Sequence, residues 1–354
     1  MQAQARDEAA FALPAIRPVD RALEPALRAI VNGKAKPPGS LGRIEDLAVR
    51  LGLIQGRRDP RIGRAVLFVF AGDHGLTAEG VSAYPASVTA AMVATFLAGR
   101  AGVNAFAAAT GVDVRVVDAG VAAELAPHPQ LIAAKIRAGT RNAAREAALT
   151  RAETERALQT GIDLVAAAVR DGADAVAIGE MGIGNTASAA LLMHRLAPAP
   201  LDGCIGAGAG HDEAGMRRKR AALERAAART PVTAPLDVLA EFGGCEIAMM
   251  AGAVLGAAAQ RRPVVIDGFI ATAAALVAVR LEPAALDYCV FAHRSAERGH
   301  GLLLEVLGAE PLLDLGMRLG EGTGAVLAMP LLRAAARLMT DVADLSDVVP
   351  GAAP

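Results

Sequence analysis

The chain has no tryptophan, and aromatic residues make up only 3% of its 354 positions. Proteins that hold single-stranded nucleic acid stack its bases on aromatic side chains, so this scarcity argues against that class. A dominant charge is also missing. Lys and Arg total 36 against 37 Asp and Glu, a formal net charge of -1. Such a balance supplies no general field for nucleic acid or an anionic membrane. Cysteine is scarce: Cys204, Cys245 and Cys289 are odd in number, far apart and without CxxC spacing. Neither a disulfide framework nor a zinc cluster is indicated. Although 53% of the residues are apolar, Gly, Pro or charge interrupts each long apolar stretch before the ~18 residues of a membrane span. The start, MQAQARDEAAFALPAIRPVD, has early acids and no basic-then-apolar signal pattern. These absences predict a cytoplasmic protein with no nucleic-acid partner and no membrane span.

Several catalytic signatures are absent too. No GxxxxGK[ST] phosphate loop, no GxSxG nucleophile elbow and no HExxH zinc helix occurs. What is present is a rhythm of short apolar runs: Ala65 to Ala71, Val112 to Val117, Ala173 to Ile178, Pro263 to Ile266 and Leu286 to Ala292. Each is too short for a typical helix and reads as a buried strand. Ala-rich segments at helical spacing lie between them, including Ala86 to Leu97, Thr154 to Arg170 and Ala271 to Arg280. The alternation predicts an α/β fold, a Rossmann-like parallel sheet flanked by helices. The first ~60 residues and the tail from Ala325 to Val349 lack such strands and read as mainly helical. Both ends are therefore expected outside the sheet. The Ala-Pro-Ala-Pro stretch at 197–200 reads as a loop.

The unusual polar chemistry lies just beyond the strand ends, where open α/β sheets bind ligands. Gly179-Glu180-Met181-Gly182-Ile183-Gly184-Asn185-Thr186 follows a strand and precedes a helix. It is either a phosphate cradle at a helix N-terminus or a plain tight turn. Gly206 to Glu213 is a second glycine run, leading into the basic stretch Arg217-Arg218-Lys219-Arg220. A solvated helix face accounts for most of these cations, leaving Lys219 as a candidate. Asp73-His74 could orient a base or bind metal, or simply hydrogen-bond within its loop; the lack of a second His at ligand spacing argues against metal. His293 and His300 flank Arg294, Ser295, Glu297 and Arg298, a composition suited to anion recognition. In Gly320-Glu321-Gly322-Thr323-Gly324 one carboxylate sits among three glycines at a helix start. A dipole-favoured charge and a catalytic base both fit that position. Loose GxGxxA matches at Gly182 and Gly320 are a weak signal: a dinucleotide site would want an acid ending the next strand ~20 residues on, and after Gly182 the only nearby acid, Asp202, begins the next run instead.

Taken together these segments resemble one family closely: nicotinate-nucleotide:dimethylbenzimidazole phosphoribosyltransferase, of cobalamin lower-ligand synthesis. The stretches that carry the resemblance include Lys36 to Glu45, Asp73 through Met92, Gly179 to Thr186 and Gly243 to Ala248. Asp267 to Phe269, His293 to Glu297 and Leu319 to Gly324 complete them, in family order across about residues 36 to 330. The resemblance implies a large α/β catalytic domain at 60–325 and a small helical domain made from 1–59 and 326–354. It implies a homodimer acting on nicotinate mononucleotide and dimethylbenzimidazole with neither cofactor nor metal. By motif position Glu321 resembles the catalytic base. Ser82, Glu180, Lys219, Leu319, Gly320 and Gly322 resemble substrate-binding positions, and Gly182, Gly184 and Ser295 parts of a phosphate-binding surface. Ala90 and Ala91 stand where some relatives carry a glutamine.

Overall fold

A computed structural model of the chain describes residues 11–197, 199–208 and 210–349. Residues 1–10 (most of the acidic start), position 198 of the Ala-Pro-Ala-Pro stretch, Ala209 of the second glycine run and residues 350–354 lie outside it. In chain order the elements begin α1 (Glu24–Asn32), α2 (Arg43–Gln55), β1 (Ala65–Gly72), α3 (Ser87–Leu97), α4 (Gly102–Thr110), β2 (Asp113–Gly120) and β3 (Leu131–Ala133). Next come α5 (Arg151–Arg170), β4 (Ala175–Met181), α6 (Asn185–Leu196), α7 (Leu201–Cys204), α8 (Glu213–Arg229) and α9 (Pro235–Phe242). The order closes with α10 (Cys245–Ala259), β5 (Val264–Ile266), α11 (Phe269–Leu281), β6 (Cys289–Phe291), α12 (His300–Val306), α13 (Thr323–Thr340) and α14 (Leu345–Val348).

The six strands form one parallel sheet in the order β3-β2-β1-β4-β5-β6. The expected parallel α/β sheet is therefore present. The order reverses between β1 and β4, and a crevice opens above the strand C-termini at such a point. Strand β1 is buried along its whole length. That explains why it reads as a continuous apolar run rather than an alternating one. Helix α10, almost entirely buried, lies on β1, β2 and β4, and α13 lies on β1, β4 and β5. Small residues set how closely α5 and α10 approach. A Cβ on Gly161 would overlap the Met249 carbonyl, and one on Gly252 would overlap that of Leu158.

Helices from the two chain ends meet. Helix α2 lies on α13, and the ammonium of Lys34 is 2.9 Å from Asp344. The apolar stretch between residues 87 and 110 is divided into α3 and α4, with Gly99 at φ 70° between them. At ~1.5 Å per residue neither helix approaches the ~30 Å of a bilayer core.

Two local expectations change. Strand β3 was not among the expected runs. The segment from Leu286 to Tyr288, expected in a strand, lies instead in a 3-10 helix spanning Pro283–Tyr288. Glu282 caps that helix by accepting from the Ala284 N–H, and Pro283 supplies a preset first turn.

Candidate active site

A cavity of about 420 Å³ opens at the C-terminal edge of the sheet. Its walls come from the loops after β1, β4, β5 and β6, the Gly206 run and the segment before α13. Helices α6 and α11 both start at it, through Asn185 and Thr186 and through Phe269 and Ile270. Helix N-termini present free N–H groups and positive dipole ends, which suits an anionic group. The remaining wall is largely apolar, with Val81, Val88, Met92, Met181 and Ile183 facing the space. A flat aromatic ring fits such a lining.

Glu321 lines this cavity and is only 5% exposed. Its backbone is left-handed, with φ 63°, a conformation that a non-glycine residue adopts at a cost. Gly320 and Gly322 on either side have φ 85° and 87°. A Cβ on Gly320 would overlap the Glu180 carboxylate, and one on Gly322 would come within 2.6 Å of Leu67. These glycines are what allow Glu321 to stand where it does.

Because Gly322 has no side chain, α13 begins without a cap of its own. Asp267, just past the end of β5, supplies one from outside the helix. One carboxylate oxygen accepts from the Gly322 N–H at 3.2 Å, the other from the Ala325 N–H at 3.0 Å. The end of β5 thereby pins the turn that carries Glu321. The Glu321 carboxylate accepts from the Val103 N–H at the start of α4, at 3.1 Å. Burial raises its pKa above the ordinary 4.5, against the opposing effect of that hydrogen bond and with help from the nearby Asp267 charge.

Glu180 lies deeper. Burial foremost, then the charge of Asp267, push its carboxyl up to about 8, although the Asn185 amide donates to it. Burial thus raises both carboxyls, Glu180 to about 8. A folded pKa above the unfolded one means that the native state binds the proton more tightly. Stability contributed by Glu180 is therefore lost as pH rises from about 4.5 to about 8. Glu180→Gln, which cannot ionise, is expected to raise the melting temperature little at pH 5 and most at pH 8 and above. The gain there should be of the order of a few kcal/mol. Calorimetry across that range checks it, and a pH-independent difference would contradict it.

Ser82, Glu180, Gly182, Gly184, Ser295, Leu319 and Gly320 all line the cavity. Lys219 and Gly322 do not. The Lys219 ammonium is buried behind Thr186, donating to its hydroxyl and to the Gly206 carbonyl, both at 2.9 Å. Burial lowers its pKa to about 8, with Glu297 opposing. The Asp73-His74 pair is not brought into the cavity. His74 is fully enclosed, 2.5 Å from Glu246 and 2.9 Å from the Ser188 hydroxyl. Burial disfavours its charge, but the Glu246 carboxylate outweighs that and raises its pKa. Neither Ala90 nor Ala91 lines the cavity. Among the described residues no group of three or more His, Cys, Asp or Glu side chains is arranged to hold a metal.

One cavity residue lay outside every stretch singled out from the sequence: Arg318 contributes an exposed cation and bonds the Gly208 carbonyl at 3.2 Å, and no local pattern marks it. Two others lay within such stretches without a role of their own. Asp267 was visible as an acid ending a strand, and His211, in the second glycine run, reaches across to the Val81 carbonyl at 2.8 Å.

A profile of the DBI_PRT phosphoribosyltransferase family matches residues 16–348. The chain belongs to this family. A nicotinate-nucleotide--dimethylbenzimidazole phosphoribosyltransferase of Cupriavidus necator is 53% identical over 334 residues, covering 94% of this chain and 96% of the relative. One of Ralstonia nicotianae is 55% identical over 327 residues, covering 92% of each. The crystal structure of CobT from Thermus thermophilus superposes with a TM-score of 0.89 at 47% identity, covering 92% of this chain and 98% of that one. As a DBI_PRT phosphoribosyltransferase, the chain has its glycine loops and its buried glutamate around one cavity, at the edge where parallel sheets place their ligands.

Proposed function

We propose that this DBI_PRT phosphoribosyltransferase transfers the phosphoribosyl group of nicotinate mononucleotide to 5,6-dimethylbenzimidazole. The products are α-ribazole 5′-phosphate, a precursor of the cobalamin lower ligand, and nicotinate. The observation that carries the reading is Glu321, a carboxylate on a strained backbone facing a cavity whose other walls suit an anion and an aromatic ring. Near-full-length relatives that bear this enzyme's name support it.

The chemistry needs one base. In nicotinate mononucleotide the ring nitrogen is a cationic pyridinium, so nicotinate departs with that nitrogen neutral and needs no general acid. Dimethylbenzimidazole attacks the sugar carbon through one nitrogen while its other nitrogen loses a proton. Glu321 takes that proton. Attack opposite the leaving group converts β to α. Glu321 and Glu297 line the same cavity and oppose the positive charge that develops on the sugar. Holding both rings in line supplies much of the remaining acceleration through orientation. The N-terminus of α6 and the glycines 182 and 184 receive the phosphate, with Lys219 behind Thr186 adding positive charge.

The same reading takes the protein as a cytoplasmic homodimer. Its three cysteines are free thiols, which suits a reducing compartment. Most residues of the apolar α3–α4 stretch are exposed or half-buried, which leaves an apolar face for a second copy. Light scattering at twice the mass of the chain supports the dimer, and a monomer mass defeats it. For the activity, purified protein is incubated with nicotinate mononucleotide and dimethylbenzimidazole and the products are separated by chromatography. Appearance of both nicotinate and α-ribazole 5′-phosphate is expected; absence of both overturns the proposal.

A further inference from the structure

Between the loops after β5 and β6 runs a buried hydrogen-bonded chain that the reaction chemistry does not use. The Ser295 N–H donates to Nδ1 of His300 at 2.8 Å. His300 Nε2 is 3.0 Å from the Thr272 hydroxyl, which donates to the Gly268 carbonyl at 2.8 Å. His300 and Thr272 are fully buried, and Ser295 and Gly268 both line the cavity.

The geometry fixes the protons. A backbone N–H can only donate, so Nδ1 of His300 must be the acceptor. The Thr272 hydroxyl spends its hydrogen on the Gly268 carbonyl, so Nε2 must carry the imidazole hydrogen and donate to that hydroxyl. Every position in the chain is assigned, and a second proton on His300 would point at the Ser295 N–H. Burial, with the charges of His293 and Arg294, lowers the His300 pKa to about 3, in agreement. The Ser295 hydroxyl meanwhile accepts from the Glu297 N–H at 3.3 Å. Its own hydrogen is left to be offered into the cavity.

We propose that His300 is a positioning residue: a neutral imidazole that splints the Ser295 loop to the Gly268 loop, aiming the Ser295 hydroxyl at the nucleotide before it binds. The effect on catalysis rests on the function proposed above; the splint itself does not. Three substitutions at His300 and one spectroscopic measurement test it. His300→Phe keeps a flat ring, slightly larger than the imidazole, and removes both bonds. His300→Asn restores an acceptor near the Nδ1 position, and His300→Gln restores a donor near Nε2.

The loss of one orienting hydrogen bond is expected to raise KM for nicotinate mononucleotide about ten-fold in His300→Phe, with kcat nearly unchanged. The Asn variant should recover most of that loss and the Gln variant little. Each variant is first shown to be folded by its thermal transition. A folded Phe variant with wild-type KM overturns the proposal, as do Asn and Phe variants that are equally impaired. A rise confined to the KM of the base, or a fall confined to kcat, does the same. Nitrogen-15 NMR of wild-type protein at neutral pH should show His300 as the neutral Nε2–H tautomer, with its Nδ1 shift altered on mutation of Ser295 to Pro. A protonated His300 or the opposite tautomer refutes the splint even if the wild-type enzyme turned over a different substrate pair. If the wild type lacks the proposed activity but shows that tautomer, only the functional reading fails.

Discussion

Glu321→Gln is expected to fold, to bind nicotinate mononucleotide and to lose turnover by about 10²- to 10⁴-fold, the range for a removed general base. The amide preserves the shape of the side chain and can still accept from the Val103 N–H. The left-handed backbone is unchanged, so the strain at φ 63° is borne as before. What disappears is the ability to take a proton. The loss should therefore fall on kcat, with KM for the nucleotide nearly unaltered. The wild-type pH profile carries a second signature. A base works only when ionised, so the rate should fall as pH falls through the Glu321 pKa. Burial places that limb above the usual carboxylate range. Single-turnover measurements of both proteins across pH check the two statements together. A Gln variant with near-normal turnover, or one that keeps the acid limb, would move the base elsewhere, with Glu180 next in line.

That assignment was partly legible before any coordinates. Strands β1, β4 and β5 and the second half of β2 are buried on both faces, so each appears in the chain as an apolar run. Strand β3 escaped because it is a three-residue edge strand with partly exposed side chains, which leaves neither a run nor an alternation. The glycine loops were legible because their backbone geometry admits little else. Gly320, Gly322 and Gly184 all have positive φ. The tertiary contacts around those loops were not. Lys219 is 33 positions from the threonine that it bonds. The Glu246 partner of His74 is 172 positions away. A local pattern has no access to such pairings, so Asp73-His74 kept two readings until the fold separated them. The helical chain ends were read from their lack of strands, but how α2 settles on α13 depends on side-chain packing that composition does not encode.

Asp267 is the sharpest case, and it leads to the second large effect. Asp267→Asn is expected to lower kcat by about 10- to 100-fold while leaving KM for the nucleotide within a few-fold. The carboxylate accepts two backbone N–H groups, one on each oxygen. An asparagine offers one acceptor oxygen and one NH₂ group, so it can satisfy either Gly322 or Ala325 but not both. The N–H left facing the amide is buried and unpaired, at a cost of about 1–3 kcal/mol. Both donors belong to the turn that carries Glu321, whose φ of 63° persists only while its surroundings enforce it. Relaxation of that turn displaces the base without touching the α6 loop that receives the phosphate. Hence kcat should fall while nucleotide binding survives. The unfolding free energy should fall by a similar few kcal/mol, less whatever is recovered because a buried acid with a raised pKa has been removed. Combining the two substitutions separates positioning from direct chemistry. Once Glu321 is Gln, there is no base left to misplace, so Asp267→Asn should add little further loss of turnover. Fully multiplicative losses would show that Asp267 acts on the reaction by a route independent of Glu321.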